Sequence, residues 1–116
     1  MGTGWSAVTR GDIVSVAART AFGSKPRPAL IIQSDYFGPL RTATLIGFTS
    51  QFDDAMDMRI AVEPTERNQL RVTSYVMVDT VTTVKREELG QVMGQIDAID
   101  LERIERATLI FLGFHG

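Results

Sequence analysis

Short apolar runs, rich in β-branched residues and separated by polar or proline-containing turns, make up most of the chain. The run Ile13–Ala17 and the run Ala29–Ile32 have the length of buried strands, and residues 42–49 are rich in threonine, leucine and isoleucine. Strands this short, linked by turns, favour antiparallel pairing. The pattern predicts a small sheet or barrel, with strands near residues 13–17, 27–33, 42–49, 58–62, 72–84 and 90–96.

The last part of the chain follows a helical period instead. Its apolar positions recur three or four residues apart, at Leu101, Ile104, Thr108 and Phe111. Asp97, followed three residues later by Asp100, is typical of a helix N-terminus, and Gly113 is typical of a helix end. The sequence therefore predicts one amphipathic helix over residues 98–112, so the fold class is mainly β with a C-terminal α-helix.

Length and composition predict one domain, residues 9–116, after a tail formed by residues 1–8. The chain has 116 residues, 44% of them apolar, and a net charge of −2, so a site for nucleic acid would have to be a local cationic patch. No apolar stretch approaches the ~20 residues that span a bilayer, and no signal peptide is visible, so a cytoplasmic location without membrane contact is expected. The absence of cysteine excludes disulfides, thiolate zinc sites and a cysteine nucleophile.

One arginine lies in a rigid setting at the mouth of a predicted strand. Pro26 and Pro28 flank Arg27, and each proline restricts the backbone to extended conformations. A planar guanidinium held in this way suits a phosphate group. The alternative is that Arg27 only keeps the strand edge soluble.

The remaining polar residues narrow the chemistry. His115 is the one histidine and lies at the chain end, which argues against a histidine-based nuclease or a Ser-His-Asp hydrolase. Asp53, Asp54 and Asp57 are the strongest metal candidates, but they lack the glycine-punctuated spacing of a calcium loop, so no metal or cofactor is expected. Cations and hydroxyls near predicted strand ends are the candidates for an anion-binding groove: Lys25, Arg27, Arg41, Thr49, Ser50, Gln51, Arg59, Lys85 and Arg86.

In order and spacing, several segments resemble one known family, the MazF/PemK toxins of bacterial toxin–antitoxin systems. The matching segments span most of residues 9–113 and are Arg10–Val14, Arg27–Ile32, Phe48–Gln51, Ser74–Asp79, Thr83–Val84 and Leu89–Gly94. The resemblance implies an SH3-like small β-barrel of the CcdB/PemK type, usually a homodimer. It also implies a metal-independent endoribonuclease that cuts single-stranded mRNA at a short recognition sequence and is neutralised by a cognate antitoxin.

The resemblance also assigns roles to residues. In the family, the arginine of the Arg-Pro segment and a threonine after the next strand are catalytic, and these correspond to Arg27 and Thr49. Some members use an arginine and an aspartate in a late strand. Asp79 matches that aspartate, but Met77 occupies the arginine's place, which favours Arg27 and Thr49. Ser50 and Asp79 are then supporting candidates, and the RNA-binding candidates are Lys25, Arg41, Gln51, Arg59, Lys85 and Arg86.

Family chemistry of this kind needs no protein nucleophile. The 2′-OH of the RNA attacks the adjacent phosphorus, which leaves a 2′,3′-cyclic phosphate and a 5′-OH. Arg27 and Thr49 would stabilise the charge on the phosphorane, and the general base stays unassigned because a guanidinium, which stays protonated in proteins, is a poor base.

Two other functions stay open at this point. One is a CcdB-like poison of DNA gyrase without enzymatic activity; such proteins depend on a C-terminal Trp-Gly-Ile, whereas this chain ends Phe114-His115-Gly116 and has its one tryptophan at Trp5. The other is a catalytically inactive barrel that binds RNA or a partner protein.

Overall fold

A computed structural model of the chain describes residues 8–17, 27–38, 40–52 and 59–114. The predictions made for Lys25, for the aspartates between residues 53 and 57 and for His115 therefore lie outside the described residues. Val8, which the sequence placed in the tail, is buried against the core. The packed domain therefore begins no later than residue 8.

Seven antiparallel strands and one α-helix form the described fold, which confirms the predicted mainly β class with a C-terminal helix. The sheet order is β4-β5-β3-β2-β1-β7, with β6 paired to the first half of β3. The elements are β1 (Asp12–Val16), β2 (Arg27–Ile31), β3 (Thr42–Thr49), β4 (Arg59–Val62), β5 (Ser74–Met77), β6 (Thr82–Lys85), β7 (Leu89–Gln95) and α1 (Ala98–Phe111).

Strand β3 is central because three strands pair with it. One edge pairs with β2, while the other edge pairs first with β6 along Thr42–Leu45 and then with β5 at Phe48 and Thr49. The sequence predicted one β-prone stretch over residues 72–84, but a 3-10 turn at Val78–Thr80 divides it. The Thr80 hydroxyl holds that turn, since it accepts from Gly47 N–H at 3.1 Å and donates to the Met77 carbonyl at 2.7 Å.

Both faces of the sheet are buried, which explains why its central strands have apolar runs rather than strict alternation. Ala29 and Ile31 of β2 lie in one core cluster with Leu45, whereas Leu30 lies in a second cluster with Phe48. The second cluster includes Ile104 of α1, so the helix covers that face.

The helix agrees closely with the predicted span 98–112, and Gly113 ends it with a φ of +89°. Asp97 takes the N-cap position, but its carboxylate accepts a hydrogen bond from the Thr65 hydroxyl at 2.6 Å instead of capping the helix. Ile104 and Thr108 are buried as the helical period predicts, whereas Phe111 stays 44% exposed. The predicted apolar stripe is therefore only partly used within the monomer.

The described strands form an open sheet, so the barrel expected from the resemblance is not closed by a ladder between β4 and β7. A loop, residues 63–73, closes part of the gap; we call it the Asn68 loop. The Arg67 carbonyl accepts from Gln95 N–H at 3.0 Å, and Gly94 approaches the Asn68 carbonyl so closely that a Cβ there would collide with it. Because Gly94 has no side chain, β7 can pack closely against this loop and support it.

Candidate active site

The geometry of β2 and β3 places Arg27 and Thr49 together. Ala29 of β2 pairs with Gly47 of β3, and two further residues along each strand lead to Arg27 and Thr49. Side chains along a strand alternate between the two faces of the sheet, so Arg27 shares a face with Ala29 and Thr49 shares a face with Leu45. Ala29 and Leu45 belong to the same core cluster. The two side chains therefore project from one end of the sheet toward one side.

A cavity of about 450 Å³ opens at this end of the sheet. Arg27, Thr49 and Ser50 line it, which brings together three of the side chains that the sequence singled out. Pockets of a few hundred cubic ångströms are of the size that binds small ligands or parts of larger ones. The cavity can therefore receive a segment of an extended anionic chain at the two candidate catalytic residues.

Thr49 is set up as a hydrogen-bond donor. Its Oγ1 accepts a hydrogen bond from Gln51 N–H at 3.2 Å, in a turn at the end of β3. No acceptor for the hydroxyl proton lies among the described residues. The proton can therefore be donated to a bound ligand.

Arg27 is exposed, and its guanidinium forms no hydrogen bond or ion pair with the part of the chain that the structure describes. The following residue, Pro28, fixes the backbone at the start of β2, opposite Ser15 of β1. The backbone of Arg27 is thus fixed by its pairing with Val16 of β1, while the donors of its guanidinium stay available to a ligand.

The loop of residues 63–73 contributes side chains that the sequence did not single out. Arg71 lines the same cavity, as do Gln69, Leu70 and Val72. No local pattern marks Arg71, because it precedes β5 in a polar loop whose path depends on contacts with β7. The one sequence feature that could have pointed to Arg71 was an arginine in a loop between two β-prone segments.

Several predicted RNA-binding residues lie far from this cavity. Arg41 immediately precedes β3, and Lys85 pairs with Thr42, the first residue of β3. Thr49 is the last residue of that strand. Eight residues of extended strand span about 23 Å. Arg41 and Lys85 therefore do not share a single groove with Thr49.

Arg86 is wrongly placed among the RNA-binding candidates. The residue is only 2% exposed; its guanidinium Nε donates to the Thr42 carbonyl at 3.2 Å, and its own N–H donates to the Arg41 carbonyl at 2.8 Å. Its role is to join the end of β6 to the start of β3. A buried guanidinium used in this way is not available to RNA.

Asp79 and Arg59 form a separate pair. Asp79 lies in the 3-10 turn after β5, and its Oδ1 is 3.9 Å from Nε of Arg59 on β4. Neither residue lines the cavity of Arg27. The structure does not bring Asp79 to Arg27 and Thr49, so its supporting role stays a sequence-based prediction.

Metal-ligating clusters and membrane-spanning helices are both absent from the part of the chain that the structure describes. No group of three or more histidine, aspartate or glutamate side chains there could hold a metal ion. No described helix is long and apolar enough to cross a bilayer.

Comparison with known proteins gives consistent matches along the chain. A family model of PemK-like, MazF-like toxins of type II toxin–antitoxin systems matches residues 9–112. The chain is 45% identical over 107 residues to a probable endoribonuclease MazF of Mycolicibacterium smegmatis (strain ATCC 700084 / mc(2)155), with 92% of this chain and 98% of that protein covered.

Solved structures share the fold at low sequence identity. The Mycobacterium tuberculosis toxin MazF-mt6 superposes with a TM-score of 0.76 at 21% identity, over 90% of this chain and 99% of that chain. A MazE-MazF structure from Deinococcus radiodurans (Form-II) gives a TM-score of 0.72 at 17% identity, over 93% and 97%.

The fold and the cavity define a small β-sheet protein with a candidate site, lined by Arg27, Thr49 and Arg71, at the ends of its central strands. The family match extends over nearly the whole chain and includes every element of this site. The chain belongs to the PemK-like, MazF-like toxin family of type II toxin–antitoxin systems.

Proposed function

We propose that the chain is a sequence-specific, metal-independent endoribonuclease toxin that cuts single-stranded mRNA and so inhibits translation and growth. The observation that carries the proposal is the meeting of Arg27 and Thr49 in one cavity, with donors that no described residue uses. The 45% identity to a protein named as a probable endoribonuclease supports it.

The proposed reaction uses the RNA itself as the nucleophile. The 2′ oxygen bonds to the adjacent phosphorus, the bond from phosphorus to the 5′ oxygen breaks, and the products are a 2′,3′-cyclic phosphate and a 5′-OH. The 2′-OH loses its proton as it attacks, and the departing 5′ oxygen gains one. Orienting the sugar and phosphate for in-line attack supplies part of the rate enhancement.

Arg27 and Thr49 stabilise the charge that develops on the phosphorane. The guanidinium can direct two parallel N–H donors at the phosphoryl oxygens, and the Thr49 hydroxyl can donate one more hydrogen bond. No carboxylate or imidazole lines the cavity among the described residues. The general base is therefore left unassigned, because neither Arg27 nor Thr49 suits that role.

The first test is cleavage of a long single-stranded RNA by the purified chain in EDTA, with the 5′ ends of the products mapped. Cuts that share a short sequence and carry 5′-OH ends would support the proposal. RNA retention without product would favour an inactive binding protein. No retention, together with impaired supercoiling by DNA gyrase, would favour the gyrase poison.

The proposal extends to partners. A solved relative is an endoribonuclease in complex with its cognate antitoxin, and a family assignment to type II systems implies such a partner for this chain. We propose that the antitoxin covers Arg27 with an acidic segment, and that the toxin acts as a homodimer in the cytoplasm. Unchanged cleavage in excess cognate antitoxin would contradict the proposal that the antitoxin covers Arg27. A monomer in analytical ultracentrifugation would contradict the proposed homodimer.

Thr49→Val is expected to slow cleavage roughly 10- to 100-fold, because it removes one hydrogen bond to a charged group without changing the side chain's shape. Thr49→Ser keeps the hydroxyl and is expected to stay near the parent rate. Single-turnover rates on one mapped substrate measure both. A parent rate in Thr49→Val together with a slow Thr49→Ser would show that the methyl group, not the hydroxyl, is what the site needs.

A further inference from the structure

We propose that Arg71 forms a second phosphate-binding subsite, which holds the RNA backbone next to the scissile phosphate. The inference rests on the proposed function and extends it from the reacting phosphate to a neighbouring one. It assigns a substrate-positioning role to the Asn68 loop.

The first observation is the charge of the cavity. Arg27 and Arg71 both line it, both are exposed, and no carboxylate lines it among the described residues. Arg71 has no hydrogen bond or ion pair with the described part of the chain. Two like charges facing one cavity repel each other unless an anion lies between them. In a chain of net charge −2, this cavity is suited to a ligand that carries more than one negative charge.

The second observation is that the loop carrying Arg71 is organised before any ligand binds. Asn68 is fully buried, and its Oδ1 accepts from the N–H groups of Thr65 and Leu70, both at 2.9 Å. Its Nδ2 donates to the Glu63 carbonyl at 2.9 Å. Because the loop is already ordered, less conformational entropy is lost when Arg71 binds a phosphate.

Gln69 gives further evidence of local constraint. It adopts a φ of +59°, in the left-handed region that costs a residue with a side chain roughly 1–2 kcal/mol. Its side chain lines the cavity. Strained residues of this kind cluster at ligand sites, where the surrounding contacts over-determine the backbone.

The third observation identifies the anion as a nucleic acid strand. Besides the two arginines, the cavity is lined by the apolar side chains of Leu70, Val72 and Met93, and the last two are 55% and 44% exposed. A free phosphate would gain nothing from such a wall, whereas an unstacked base can pack against it. Unpaired bases with a cationic track for the backbone are typical of single-stranded RNA recognition.

Replacing Arg71 by alanine is expected to weaken RNA binding about 10-fold, which is the range for one lost hydrogen-bonded charge contact. The slope of log Kd against log salt should fall by about 0.7, the contribution of one phosphate on a single strand. Cleavage should show a raised KM with a kcat near that of the parent, because the contact lies outside the reacting group.

The experiment uses an RNA oligonucleotide that contains the parent's mapped cleavage site, with a 2′-O-methyl group on the attacking sugar so that it binds without being cut. Fluorescence anisotropy gives Kd for the parent, Arg71→Ala and Arg71→Lys over a salt series. Arg106→Ala is the matched control, since it removes one exposed arginine from α1, away from the cavity. Thermal melts establish that each variant is folded.

The subsite is supported if Arg71→Ala lowers both affinity and salt slope, Arg71→Lys restores the slope, and Arg106→Ala matches the parent. If Arg71→Ala and Arg106→Ala behave alike while the parent cuts and binds RNA, the subsite is overturned and the proposed function stands. A parent that neither cuts nor binds RNA overturns both. An equal loss of kcat and kcat/KM in Arg71→Ala would also contradict the role, since it would place Arg71 at the reacting phosphate.

Discussion

Replacing Arg27 with alanine is expected to lower the rate of RNA cleavage by about 10³-fold and to leave the fold intact. The rate falls because two charge-assisted donors to the phosphorane are lost, and one such donor alone is typically worth roughly 10²–10³. The fold is expected to persist because the exposed guanidinium forms no hydrogen bond or ion pair with a described residue that the substitution would remove. Single-turnover cleavage and a thermal melt on the same preparation measure the two effects.

Two variants sharpen this test. Arg27→Lys keeps the charge but loses the planar fork of donors, so an intermediate rate is expected. Arg106→Ala removes an exposed arginine from the helix and should cut at the parent rate. Cleavage by Arg27→Ala at the parent rate would place the active site elsewhere on the protein.

Replacing Asn68 with alanine is expected to destabilise the domain by about 3 kcal/mol. The side chain is fully buried and satisfies two N–H groups and one carbonyl of its loop, and each buried group left without a partner costs roughly 1–3 kcal/mol. Urea denaturation of parent and variant measures the change in the free energy of unfolding.

A nearby residue and a conservative change serve as controls. Glu66→Ala alters an exposed side chain of the same loop that forms no hydrogen bond or ion pair with a described residue, and it should change stability by less than about 0.5 kcal/mol. Asn68→Asp keeps both acceptor contacts, loses the donor to the Glu63 carbonyl and buries a charge, so it should also destabilise. An Asn68→Ala variant with the parent's urea midpoint would show that the loop does not depend on these bonds.

Local sequence patterns were enough to predict the strand and the helix whose residues follow one clear pattern along their length. Residues 42–49 were predicted as a strand and form β3 with those bounds, and the period from Leu101 to Thr108 predicted the helix. Both segments are long for their type, so a periodic signal has room to show. The stretch of residues 72–84 was predicted as one strand because β-propensity is uniform along it, but propensity does not report that β3 has two different partners on one edge.

The candidate site was predictable where residues are linked by strand pairing and not where they are linked by loops. Arg27 and Thr49 meet because of the register between β2 and β3. The separation of Arg41 from Thr49 was also implicit in the sequence, since they flank one predicted strand. Arg71 was missed because its position depends on a buried asparagine and on Gly94 of a distant strand, and neither contact leaves a local pattern.

Arg86 shows a different limit. Charged side chains are almost always exposed, so a cation beside a predicted turn is reasonably assigned to the surface. The structure buries it where β6 meets β3, and its guanidinium donates to the carbonyl of Thr42. Sequence alone does not show which backbone carbonyls accept a hydrogen bond from a side chain.

The contact between Gly94 and the Asn68 loop also bears on the colloidal behaviour of the protein. Within the described sheet, β7 is an edge strand, and Gln91, Val92 and Met93 along it are exposed. An exposed edge is a template on which strands of other molecules can add. The Asn68 loop covers this edge at Gly94, and Arg67 uses the backbone N–H of Gln95. The segment that presents Arg71 therefore also shortens the stretch of edge open to aggregation, so damage to it would threaten solubility together with the proposed RNA binding.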